Sequence, residues 1–142
     1  MVLVCLLLIQ SGCQSRLGMQ NESSAVVQAR LQVERELGIK IESLRLSAGN
    51  YMLDFRYRAV EPERAVVLFD RQTKPYLLHE NTGAKFLIPA PAKVGPLRQT
   101  TNKPVAGKSY FMMFANPGQY VKTGDSVTIV IGEYRIEHLT VE

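Results

Sequence analysis

Two histidines, His79 and His138, and five methionines are the residues most suited to metal or acid–base chemistry among the 142 of this chain. Zinc takes three or four nitrogen, sulfur or oxygen ligands at close range. Histidines this far apart in sequence, with no cysteine near either, offer no ligand spacing. Copper(I) accepts thioether sulfur, which singles out Met112, Met113 and Met52. Neighbouring residues of a strand point to opposite faces, so Met112 and Met113 cannot share one ion without a bulge. No metal ligand and no cofactor is therefore assigned, and a periplasmic copper-type protein using Met and His stands as an alternative. Two histidines also limit any Ser–His or Cys–His pair. Neither a Gly-x-Ser-x-Gly elbow nor a glycine-rich phosphate loop is present. The carboxylate pairs Glu34/Glu36 and Glu61/Glu63 read as solvated faces or helix-end charges. No catalytic residue is assigned, and an enzyme is a second alternative. It would need a cleft placing His79 or His138 beside a carboxylate or hydroxyl.

Charge chemistry concentrates in residues 91–108. This segment holds three prolines (Pro91, Pro96, Pro104), two glycines (Gly95, Gly107) and four basic residues, Lys93, Arg98, Lys103 and Lys108, with no acid. Connections this long are uncommon in a compact domain unless they carry function or mobility. The four cations suit phosphate or carboxylate groups, and Gln99, Thr100, Thr101 and Asn102 add hydrogen-bonding capacity. A lipid head group, lipopolysaccharide, a glycan or an acidic protein face would meet that chemistry. The competing reading is a solvated connection crossing between two sheets.

Residues 2–9 form an unbroken apolar run, followed by Gln10, the small pair Ser11-Gly12, and Cys13. The order of apolar stretch, small residues and cysteine resembles a bacterial lipoprotein signal. The resemblance implies a signal segment over 1–12, acylation of Cys13 (palmitate among the chains), and a mature chain beginning there. With Gln14 next, it also implies the periplasmic side of the outer membrane. Two or more acyl chains hold a protein stably and one holds it weakly. The run would alternatively suit a buried N-terminal strand, with Cys5 and Cys13 as buried thiols. No segment approaches the ~20 apolar residues that cross a bilayer as a helix.

All 17 basic and 13 acidic residues follow Cys13. The net charge of +4 is spread, without a basic helix, which argues against nucleic acid as a partner. Residues 13–24 are polar without a hydrophobic period and read as a tether. Ser23 or Ser24 suits a helix cap. Val26, Ala29, Val33 and Leu37 then form one helical stripe ending at Gly38. From Ile39 the period becomes two, slips at Ser43 as a bulge would, and resumes after the turn 47–50 in Tyr51, Leu53, Phe55, Tyr57 and Ala59. Pro62 opens a helical turn. Strands follow at 74–79 and 84–89 about a Gly83 turn, then at 109–115, 126–131 and 134–141.

Seven strands in three hairpins plus one single strand predict an all-β, seven-stranded antiparallel sandwich with a short N-terminal helix, as one domain over 25–142. In strand count over Ile39 to Glu142 the chain resembles Ig-like sandwiches. Its Tyr-rich strand, Lys74-Pro75-Tyr76-Leu77 hairpin and Phe114-Ala115-Asn116-Pro117-Gly118 turn resemble small uncharacterised bacterial secreted proteins, a likeness that transfers no activity. The expectation is a non-catalytic, lipid-anchored envelope protein. It would act as a binding or accessory module for another envelope protein or an anionic ligand, with Lys93, Arg98, Lys103 and Lys108 as ligand-binding residues.

Overall fold

A computed structural model of the chain describes residues 15–142, with side chains from Ser24 onward. The expected signal segment, Cys5 and Cys13 lie outside the described residues. Helix α1 runs over Ser15–Leu37. It therefore begins well before the expected cap at Ser23 or Ser24, inside the segment read as a tether. Its C-terminal half buries Leu37 fully and packs Val33 on the core. No helix among the described residues is long and apolar enough to cross a membrane.

Gly38 stops α1 at φ +63, and its carbonyl accepts from the amides of both Val60 and Glu61. A Cβ there would stand 2.6 Å from the Glu61 carbonyl oxygen and 2.8 Å from the Arg64 Cβ. Gly38→Ala is expected to cost about 1.5 kcal/mol, from left-handed backbone strain and this collision. A urea titration reads it, and an unchanged midpoint would refute the tight joint.

Strands β1 (Ile39–Ser47) and β2 (Met52–Ala59) form the expected hairpin. Their register slips between Ile41 and Ser43, where the apolar alternation breaks. Helix α2 (Pro62–Phe69) carries proline in its first turn and buries Ala65, Leu68 and Phe69. Strands β3 (Tyr76–His79) and β4 (Lys85–Leu87) pair across the Gly83 turn. β5 (Ser109–Ala115) alternates cleanly, burying Tyr110, Met112 and Phe114. A single 3-10 turn (Pro117–Gln119) leads towards β6 (Ser126–Ile131), which pairs with β7 (Tyr134–Thr140).

The strands make two antiparallel sheets, one in the order β1-β2-β5 and one in the order β4-β3-β6-β7. Both contribute to one apolar cluster: Leu53, Phe55, Tyr57 and Phe114 from the first, Leu77, Ile129, Ile131 and Ile136 from the second. The result is a mostly β, sandwich-like fold. Rings of Phe55, Tyr57, Tyr110 and Phe69 follow one another at centroid separations of 4.6–6.1 Å, joining α2 to the first sheet.

Free edges of sheets invite further pairing, and most edges here are covered. At β1, the Glu34 carboxylate of α1 accepts from the Ile41 amide at 2.7 Å. Further along β1, Glu142 exchanges backbone bonds with Leu44 and Leu46. Helix α1 also packs on β7. The 91–108 segment covers β5: the Gln99 amide donates to Phe111, the Met113 amide donates to Leu97, and the Gln99 side chain accepts from the Phe111 amide. It is thus one of three connections between the sheets and also the cover of one edge.

Candidate functional site

Where the α2–β3 connection, the end of β4 and the 91–108 segment meet, they enclose a groove of about 210 Å³. Pro75, Leu87, Ile88, Ala90 and Pro96 make its apolar lining, and Arg71, Thr73, Lys74 and Arg98 its polar lining. No acidic residue lines it. Arg98 is only 9% exposed. Its backbone is fixed by the bridge to Met112, and its side chain reaches across to the end of α2. Nη1 donates to the Leu68 carbonyl at 3.2 Å; Nη2 donates to those of Asp70 at 2.6 Å and Thr73 at 2.8 Å. The last carbonyls of a helix lack partners within it and carry the negative end of its dipole. Arg98 therefore caps α2 with a cation. Burial lowers its pKa from the ordinary arginine value, against the charge interactions with Tyr57 and Asp70. Among the described residues no carboxylate forms an ion pair with it.

Of the four expected cations, Arg98 alone lines this groove. Arg98 lines the groove as a mostly committed, structural group. Lys93 and Lys103 are exposed and do not line it. Lys108 holds its ammonium 5.5 Å from the Tyr110 ring centroid, a cation–π contact. Arg71 and Lys74 stand in the groove unannounced, because isolated charges in a turn carry no sequence signal of what folds over them.

A second polar centre joins the ends of β3, β6 and β7. Glu80 Oε1 accepts from the Thr128 hydroxyl and the His138 amide, both at 2.8 Å. Its Oε2 accepts from the Ser126 hydroxyl at 2.7 Å and lies 3.0 Å from His138 Nδ1. Burial alone would raise the Glu80 pKa; these bonds outweigh it and hold the carboxyl at about 2. His138 takes φ +56, a left-handed conformation rare for a residue with a side chain. Pairing of β6 with β7 is irregular between Val127 and Ile129. Adjacent strand residues normally face opposite ways, yet Glu137 and His138 both border one open depression of about 310 Å³ beside Glu80.

His79 is buried, its Nδ1 2.9 Å from the Thr82 hydroxyl and its ring edge-on to Tyr120. Its Nε2 lies 3.3 Å from the Asp125 carboxylate but is not aligned for a hydrogen bond. A histidine does stand beside a carboxylate at His138, but the neighbouring hydroxyls donate to Glu80. Among the described residues no hydroxyl bonds the His138 imidazole, whereas the Thr82 hydroxyl does meet that of His79. Met112 is buried in the core and Met113 lies on the other face of β5, so the two sulfurs do not converge. Among the described residues, no three His, Cys, Asp or Glu side chains are grouped to hold a metal ion. Compared with protein-family models, curated proteins and solved structures, the chain matches none.

Proposed function

We propose that this chain is a non-catalytic, lipid-anchored module of the bacterial cell envelope that binds an anionic ligand bearing an apolar portion in the Arg98 groove. The observation that carries the reading is a buried arginine, 9% exposed, with no carboxylate at ion-pair distance among the described residues, lining a groove to which Arg71 and Lys74 add charge. Buried charges are ordinarily paired. Three carbonyls accept from Arg98 without neutralising it, and Asp70 offsets its charge only through space; an anion entering the groove would balance it directly. The apolar lining would hold the remainder of the ligand. We read the scaffold as Ig-like: the first, second and fifth strands share one sheet and the third, sixth and seventh the other, as in that arrangement, with the fourth strand moved to the second sheet. Anchoring at Cys13 on the periplasmic side of the outer membrane completes the proposal. The enzyme reading rests on two arrangements, His138 beside Glu80 and His79 between Thr82 and Asp125.

The test has two readouts on the full chain. Labelling with a palmitate analogue in a Gram-negative host should be present in wild type and absent in Cys13→Ser. Decyl phosphate should bind the purified chain saturably, about tenfold more weakly after Arg71→Ser with Lys74→Ser. Equal labelling of both proteins overturns the anchor, and equal binding overturns the groove.

A further inference from the structure

We infer that the ligand is an extended acidic peptide that adds itself as a strand to the outer edge of β4. The inference rests on the groove reading and deepens it. Two of the other sheet edges take bonds from outside their sheet, β1 from Glu34 and Glu142 and β5 from the stretch Leu97 to Gln99, while α1 packs beside β7. The β4 edge differs. The His79 amide donates to the Ala84 carbonyl. Antiparallel pairs alternate between hydrogen-bonded and non-hydrogen-bonded, so Leu77 and Phe86 bond each other. The backbone N–H and C=O groups of Lys85 and Leu87 then point away from the sheet. Among the described residues, no backbone bond outside the strand ladders reaches either of them. The Pro89 carbonyl accepts from the Leu97 amide, which bounds the edge at its far end.

Edge and groove are continuous at Leu87, which is 63% exposed and lines the groove. A strand laid along Lys85–Leu87 would gain main-chain bonds from the edge and side-chain selection from the groove, the two parts of recognition by strand addition. Its side chains alternate. One would reach the Arg71 and Lys74 charges, which call for a carboxylate; another would pack on Leu87 and Ile88, which call for an apolar group. The charge also says which strands are refused. A short edge carrying lysine disfavours pairing, and a second copy of β4 would bring Lys85 against these same cations. An acidic strand turns that repulsion into attraction.

The full chain tests this with three capped peptides of roughly five residues: alternating aspartate and valine, the same sequence N-methylated at alternate amides, and alternating lysine and valine. The aspartate peptide should bind and shift the Lys85 and Leu87 amide resonances. N-methylation should weaken binding at least about tenfold, and the lysine peptide should not bind. In Arg71→Ser with Lys74→Ser, the preference for aspartate over lysine should vanish. Equal binding of the N-methylated peptide overturns strand addition while leaving the groove. Decyl phosphate or phosphatidylglycerol vesicles binding where no peptide does overturns the peptide in favour of a lipid-like anion. If neither peptides nor decyl phosphate bind, the groove reading fails as well.

Discussion

Arg98→Met should lower the stability of the domain by about 3 kcal/mol, read as a fall of roughly 1.5 M in the urea midpoint. The side chain joins three backbone carbonyls, those of Leu68, Asp70 and Thr73, to the segment that covers β5. Hydrogen bonds from a charged donor contribute roughly 1.5–3 kcal/mol each. Their simple sum overstates the loss, because methionine also removes a charge that was costly to bury. Water can reach some of the freed carbonyls too. Lysine should not restore the wild-type midpoint: its single ammonium cannot span three acceptors that a planar guanidinium meets at once. Amide exchange should quicken at Met113 and Gln99, whose backbone bonds join the segment to β5. By contrast, Arg71→Ser with Lys74→Ser should leave the stability within about 0.5 kcal/mol of wild type, as exposed surface changes usually do. A midpoint unmoved by Arg98→Met would show that the segment holds its place without this cap.

Arg98 also marks where reading the chain stops. As one of four cations in an acid-free, proline-rich stretch, it looks like a ligand-binding residue. Its partners are carbonyls, and carbonyls leave no trace in residue type, so nothing in the chain distinguishes a cap from a site. The same holds for Glu80 and His138. Each is unremarkable alone, and the left-handed backbone at His138 falls on a residue that does not advertise it as glycine would.

What could be read is what burial writes locally. The slip from Ile39 and Ile41 to Leu44 and Leu46 marks the bulge beside Ser43, because one face of β1 must stay apolar. Pro62 marks the start of α2. The early part of α1 escapes because residues 14–24 carry no apolar period. Sheet partnership escapes because it is decided at a distance: β5 lies beside β2 with Phe55 opposite Met112 and Leu53 opposite Phe114, and no local pattern names that partner.

Glu80→Gln should lower stability at neutral pH by about 2.5 kcal/mol, and the deficit should vanish in acid. The folded carboxyl titrates at about 2 against an ordinary 4.5. A depressed carboxyl contributes stability that is fully present above 4.5 and disappears as pH falls towards 2. At 1.36 kcal/mol per unit the shift corresponds to about 3.4 kcal/mol; screening at the side chain's exposed side reduces this to about 2.5. Glutamine keeps one acceptor oxygen but turns an amide NH2, itself a donor, towards donors from Ser126, Thr128 or His138, so it cannot replace the carboxylate. Glu42 is another carboxyl whose pKa is lowered, by the Ser109 hydroxyl and by Arg58 against a burial effect that raises it. The informative quantity is therefore the difference between wild type and Glu80→Gln, measured by urea titration from pH 7 to pH 2. It should be flat above 4.5 and shrink below. A difference that stays constant to pH 2 would mean that Glu80 acts through its shape and not its charge. The three strand ends it joins would then be held by packing alone.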